Sequence, residues 1–101
     1  MEATIRKESE TKVTLILDGY LDTSVTAQTE KDVEPLFDFC DCEIVIDCSR
    51  LEYISSSGLR LLMTINQRCR ANHCSLYIKG LQEKVMDVFT TTGFTNLFEF
   101  K

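Results

Sequence analysis

Tyr53-Ile54-Ser55-Ser56-Ser57-Gly58-Leu59-Arg60 follows the apolar run Ile44-Val45-Ile46 and precedes Leu61, Leu62, Ile65 and Cys69. The earlier run reads as a buried strand, and the later apolar residues recur at helical spacing. Three consecutive hydroxyls therefore fall where a strand gives way to the first turn of a helix. Such a junction offers free backbone N–H groups and the positive end of a helix dipole, so it can hold an anion. No general base, metal ligand or second nucleophilic element adjoins it in sequence. A serine presented in that way reads as a substrate for phosphorylation rather than as a catalyst.

Working outward, the remaining segments alternate between strand and helix. Ala3 to Lys7 predicts a short edge strand, and Glu8-Ser9-Glu10-Thr11 a polar turn. Lys12 to Asp18 predicts a strand whose Val13, Leu15, Ile16 and Leu17 leave it nearly all apolar, as when both faces are covered. A helix is expected from Asp22 or Thr23, either of which can cap it, through Val25, Val33, Leu36 and Phe37. Pro35 should kink or end that helix. Cys42 to Asp47 predicts the next strand, followed by the hydroxyl junction and a helix to about Asn72. Ser75 to Lys79 alternates as a strand, Gln82 to Thr90 forms an amphipathic helix stopped by Gly93, and Leu97 to Phe100 adds a final strand. The expectation is an α/β fold: four or five strands in a mixed or parallel sheet with about three helices packed on it.

The 101 residues, 44% of them hydrophobic, suffice for one domain spanning 1–101 with its own core. A net charge of −5 argues against nucleic acid as a direct partner, because phosphate binding needs a basic surface. Arg60, Arg68 and Arg70 are the nearest approach to a basic cluster and read as solvated charges flanking a helix. No apolar run is long enough to span a bilayer, and Met1-Glu2-Ala3-Thr4 is no signal peptide, so a cytoplasmic location is expected. Cysteines at 40, 42, 48, 69 and 74, with no CxxC pair and one histidine, fit neither a zinc site nor a disulfide framework. They read as small buried thiols, with Cys40-Asp41-Cys42 as an alternative redox pair. No cofactor or metal is expected.

Catalytic readings fail on spacing. Ile54-Ser55-Ser56-Ser57-Gly58 lacks the first glycine of a nucleophile elbow. His73 lies beyond the helix that Ser56 opens, some 24 Å along it at about 1.5 Å per residue, too far for a proton relay. No phosphate-binding G-x-x-x-x-G-K-(S/T) motif is present.

The chain resembles a STAS domain, the family of sulphate transporters and anti-sigma factor antagonists. Gly19-Tyr20-Leu21-Asp22 resembles the family's G-x-(L/I)-D. Ile44-Val45-Ile46-Asp47 with Leu51-Glu52-Tyr53-Ile54 resembles its central strand and the approach to its signature loop. Ser55-Ser56-Ser57-Gly58-Leu59 is similar to D-S-(S/T)-G-L, and Gly93-Phe94 to the G-(L/F) turn after the last helix. The four elements occur in the family's order and cover nearly the whole chain.

The resemblance implies an anti-sigma factor antagonist. An anti-sigma factor that is also a serine kinase would phosphorylate Ser56, and a phosphatase would reset the cycle. Ser55 stands where the signature has aspartate, which makes Ser55 and Ser57 alternative acceptors. A second reading is a STAS adaptor that is not phosphorylated and binds a transporter ATPase. The partner-binding set is Asp22, Ser56, Ser57, Gly58, Leu59, Arg60 and Met63. Within it Ser56, Leu59 and Met63 form one strip at i, i+3 and i+7, which either docks the partner or packs against a neighbouring helix. Asp22 either caps a helix or lies near Ser56 across adjacent strand ends. The edge strand leaves a weak homodimer open.

Overall fold

Strand β1 (Glu2–Ser9) turns back through Glu10 and Thr11 into β2 (Lys12–Leu21), and the two pair antiparallel. The computed structural model describes residues 1–101. From β2 onward every ladder is parallel: β2 with β3 (Glu43–Ile54), β3 with β4 (Ser75–Lys79), and β4 with the short β5 (Glu99–Phe100). The sheet order is β1-β2-β3-β4-β5, so each parallel step is a crossover to the next strand in one direction. Right-handed crossovers that advance in one direction lay their helices on one face of the sheet. Those helices are α1 (Thr26–Asp32), α2 (Ser56–Ala71) and α3 (Glu83–Thr91). The result is the expected α/β domain, three helices on a mostly parallel five-stranded sheet.

One face of each strand supplies the core: Val13, Leu15, Leu17 and Leu21 of β2; Ile44, Ile46, Cys48, Leu51 and Ile54 of β3; Leu76 and Ile78 of β4. Against them α2 sets Leu59, Leu62, Ile65 and Cys69, and α3 sets Val85 and Phe89. The other sheet face carries no helix. On it Ile16 is half-buried, and Arg6, Asp18, Asp47 and Arg50 line an open groove. The expectation that β2 is covered on both faces is therefore wrong. The extra apolar residue in its run, Ile16, lies on the uncovered side, while Val13, Leu15 and Leu17 alternate into the core.

The segment after β2 departs most from its sequence reading. Helix α1 begins at Thr26, with Val25 in the capping position and no side-chain cap. Pro35 ends the α-helical course as expected, but by starting a separate 3-10 turn, Glu34–Asp38. There the proline sits in the first turn, where its missing N–H leaves no bond unmade. The last strand is also shorter than expected, because Phe94–Leu97 form a 3-10 turn after Gly93. Four cysteines are buried as anticipated; Cys40, in the loop before β3, is exposed. No helix is long and apolar enough to cross a membrane.

Candidate functional site

At the C-terminal end of the parallel sheet, β3 runs directly into α2 through one residue, Ser55. Its backbone is extended (φ −91°, ψ 172°), and its hydroxyl accepts the Gly58 N–H at 3.1 Å, as an N-cap should. Its own N–H donates to the Leu21 carbonyl at 2.9 Å, tying the cap to the end of β2. Gly58 makes that closeness feasible. A Cβ there would lie 2.8 Å from Ile54 Cγ1, 2.9 Å from Leu21 Cγ and 3.0 Å from the Leu21 oxygen. The first turn of α2 is thus pressed onto the ends of β2 and β3, and any side chain at residue 58 would lift it away.

The three serines have different surroundings. Ser57 Oγ lies 3.0 Å from Ser55 Oγ, 3.1 Å from Thr26 Oγ1 and 3.3 Å from Thr23 Oγ1. Thr26 in turn donates to the Asp22 carbonyl at 2.8 Å. This hydroxyl network stitches α2 to the start of α1. Ser56 stands outside it, exposed, at the first residue of α2. No acidic residue occupies that helix's first turn. One turn on, Arg60 is exposed and lines a shallow hollow with Thr26, Glu30, Ser57, Leu61 and Thr64.

Asp22 belongs to this end of the molecule, though not as a helix cap. Its carboxylate accepts the Ser24 N–H at 2.9 Å and the Ser24 hydroxyl at 2.6 Å, closing a turn ahead of α1. The Ser24 hydroxyl is the main cause holding the Asp22 carboxyl below its ordinary value; partial burial opposes it, and the Ser24 and Val25 backbone N–H groups reinforce it. The capping reading is corrected accordingly. Asp22 reaches the serines only through its main chain and Thr26.

The proposed docking strip is also redrawn. Leu59 is 1% exposed, and Met63 is half-buried against the core. The apolar arc of α2 is wide enough to include Leu59 and Leu61 as well as Leu62, Ile65 and Cys69, since α1 and the 3-10 turn pack beside it. Of the strip, only Ser56 and the adjoining Arg60 face outward. Arg68 and Arg70, read as free charges, are engaged: Arg68 lies over the Phe37 ring at 3.8 Å, and Arg70 reaches Asn66, the Leu76 carbonyl and Glu99.

Two tyrosines are exposed beside this junction, which no sequence motif marks. Tyr20 and Tyr53, paired across β2 and β3, stack with ring centroids 6.4 Å apart at the same end of the sheet as Ser56. Their signal was an aromatic residue at a strand position that alternates away from the core.

The description "STAS domain" fits residues 3–101, where that family's profile matches. A Bordetella bronchiseptica protein named as an anti-sigma factor antagonist, BtrV, is 30% identical over 82 residues, covering 81% of this chain and 71% of its own. A solved structure from Thermotoga maritima, named as an anti-sigma factor antagonist, superposes with a TM-score of 0.84 at 18% identity, covering 97% of this chain and 84% of its own. The anti-sigma factor antagonist SpoIIAA in its unphosphorylated form gives 0.79 at 19% identity, covering 99% and 88%. The phosphorylated form from Bacillus gives 0.71 at 17%, covering 99% and 91%. The structural likenesses show a shared fold.

Proposed function

The chain belongs to the STAS domain family, and on that premise we propose that it is an anti-sigma factor antagonist, switched off by phosphorylation of Ser56. The family's regulatory members act by binding, and this one is no enzyme. In its active form it binds an anti-sigma factor that is also a serine kinase; a phosphatase restores it. The cycle belongs to the cytoplasm, where sigma factors work.

One observation carries the choice of acceptor. Ser55 caps α2 and Ser57 is held by neighbouring hydroxyls, whereas Ser56 is exposed and outside that network. Its backbone lies in the first turn of α2, where unpaired N–H groups and the helix dipole favour negative charge. A phosphoryl group adds about −1.5 to −2 charges at neutral pH, together with strong acceptor oxygens. The domain accommodates that charge at a helix start, so its effect falls on the partner. A surface that packed against a neutral hydroxyl would have to desolvate a dianion. Each 1.4 kcal/mol of that penalty is about tenfold in affinity, so release needs no change of fold. The docking surface then comprises Ser56, Ser57, the backbone at Gly58, Arg60 and the turn built by Asp22, with Tyr20 and Tyr53 at its margin.

The missing aspartate of the signature bears on this reading. Ser55 caps the helix with its hydroxyl, so the local frame does not need a carboxylate.

Peptide mass spectrometry on protein isolated from its native cells, with and without phosphatase, tests the proposal. A removable phosphate on Ser56 is expected. Phosphate on Ser55 or Ser57 alone would move the switch, and none under growth or stress would favour the unmodified adaptor bound to a transporter ATPase.

A further inference from the structure

The opposite pole of the sheet, where β3 and β4 begin, holds a cluster of thiols. Glu43 pairs with Ser75 in the parallel ladder, and the Ser75 N–H donates to the Cys42 carbonyl at 3.0 Å. Cys42 and Cys74 therefore stand side by side, one step before that pair. Both are buried on the core face of the sheet, in line with Ile44 and Leu76. Neighbouring strands run about 4.7–4.9 Å apart, within the Cα separation of roughly 4.4–6.8 Å that a disulfide bridges.

Both side chains turn into the core, and the Cys42 thiol also lies 3.8 Å from the Glu10 carbonyl. The Cys42 thiol donates to the Cys40 carbonyl at 3.2 Å, and the Cys74 thiol to the Phe39 carbonyl at 3.6 Å. These are successive carbonyls of one loop, so both sulfurs sit beneath it. Each strand is entered through a residue in the left-handed region, Asp41 (φ 58°) before Cys42 and His73 (φ 64°) before Cys74. The Asp41 N–H donates to the Asn72 carbonyl at 3.1 Å, which locks the two entry turns together. Cys40 lies in the same loop and is the one exposed thiol of the five. No group of three or more metal-ligating side chains is arranged here to hold an ion.

We propose that Cys42 and Cys74 are a latent disulfide pair, and that Cys40 is the thiol through which a peroxide reaches them. Access decides the order. Burial, then the nearby Cys74, pushes the Cys42 thiol up, so solvent-borne oxidant meets Cys40 first. The Cys40 sulfur attacks hydrogen peroxide, the O–O bond breaks, and Cys40 sulfenic acid and water form. Cys42 attacks the oxidised sulfur and displaces hydroxide, which takes up the Cys42 proton and leaves as the second water. Cys74 then attacks the Cys42 sulfur, and Cys40 leaves as a thiol with the Cys74 proton. In sum, two thiols give two electrons to one peroxide, yielding the Cys42–Cys74 bond and two waters. Cys48 and Cys69 lie deeper, although Cys69 adjoins Cys74, whose N–H donates to the Cys69 carbonyl at 3.0 Å. Both are fully buried, and burial pushes them up to about 12 and about 11.

The test treats the reduced full chain with hydrogen peroxide, alkylates the remaining thiols, and maps tryptic peptides without reduction. Cleavage at Arg50, Arg70 and Lys79 separates Cys74 from Cys42 and from Cys69. The expected product joins the Cys74 peptide to the peptide ending at Arg50, with fragmentation placing the bond on Cys42. It should form about tenfold more slowly in Cys40→Ser, because reactivity follows thiol access. That substitution lies in an exposed loop outside the core, so the variant keeps the fold. Cys40 oxidised to its sulfinic or sulfonic acid while Cys42 and Cys74 remain alkylatable would overturn the proposal. So would a Cys69–Cys74 bond, or equal rates in wild type and Cys40→Ser.

Discussion

Ser55, Ser56 and Ser57 share one functional group and differ in what surrounds it. Ser55 faces inward as a cap, Ser57 faces Thr23 and Thr26 around the start of α1, and Ser56 faces solvent. If Ser56 is the switch, Ser56→Ala should keep full partner affinity and lose phosphorylation, while Ser56→Asp should weaken binding at least about tenfold. Titration calorimetry against the partner checks both. Leu59 is buried and carries a different expectation. Leu59→Ala should cost about 2–5 kcal/mol of stability, as buried leucine truncations do. Leu59→Asp should unfold the domain rather than remove binding selectively, as a urea titration followed by circular dichroism would show. The hydroxyl run and its helix start were legible because they are local. Leu59's burial was not, since the sequence leaves open how wide an arc of α2 its neighbours cover.

Among the elements, α2 and β4 follow their sequence signals and α1 does not. β4 spans Ser75–Lys79 as the alternation predicts, and α2 opens at the serine run and closes at Ala71. Strong periodicity marks both, and α2 adds a proper cap. At α1 two local preferences compete. Asp22 can cap a helix or close a turn on Ser24, and the turn wins, because the chain must first carry the Thr23 and Thr26 hydroxyls over to Ser57. The α2 cap gives an element-scale prediction. Ser55→Ala should cost about 0.5–2 kcal/mol by removing the acceptor for the Gly58 N–H. Gly58→Ala should do more harm, by forcing α2 off the ends of β2 and β3. Thermal melts of the two variants should rank them in that order.

For the molecule as a whole, the one-sided arrangement of helices leaves a polar sheet face. Within it Asp47 is half-buried, which raises its pKa, yet the Ser49 backbone and side chain, with Lys79 and Arg50, outweigh that and hold the carboxyl below its ordinary value. Asp22 is shifted the same way. A carboxyl held low in the folded state binds fewer protons than the unfolded chain, so its contribution is complete above the unfolded value near 3.8 and disappears as pH falls through the lower folded one. Urea midpoints should therefore stay level on this account from neutral pH to about 5 and drop below about 4. Asp47→Asn should flatten that drop; an unchanged acid slope in the variant would assign the loss to other carboxylates.

By itself the amino-acid order determined the alternation of strands and helices, the hydroxyl junction before α2 and the acidic balance that disfavours nucleic acid. Each rests on residues within a turn or two of one another, where periodicity and capping act directly. Tertiary structure alone decided which sheet face stays uncovered, which hydroxyl stays free, that Leu59 belongs to the core, and that Cys42 and Cys74 become neighbours. Those outcomes depend on strand register and on the handedness of the crossovers, which bring together residues some thirty positions apart.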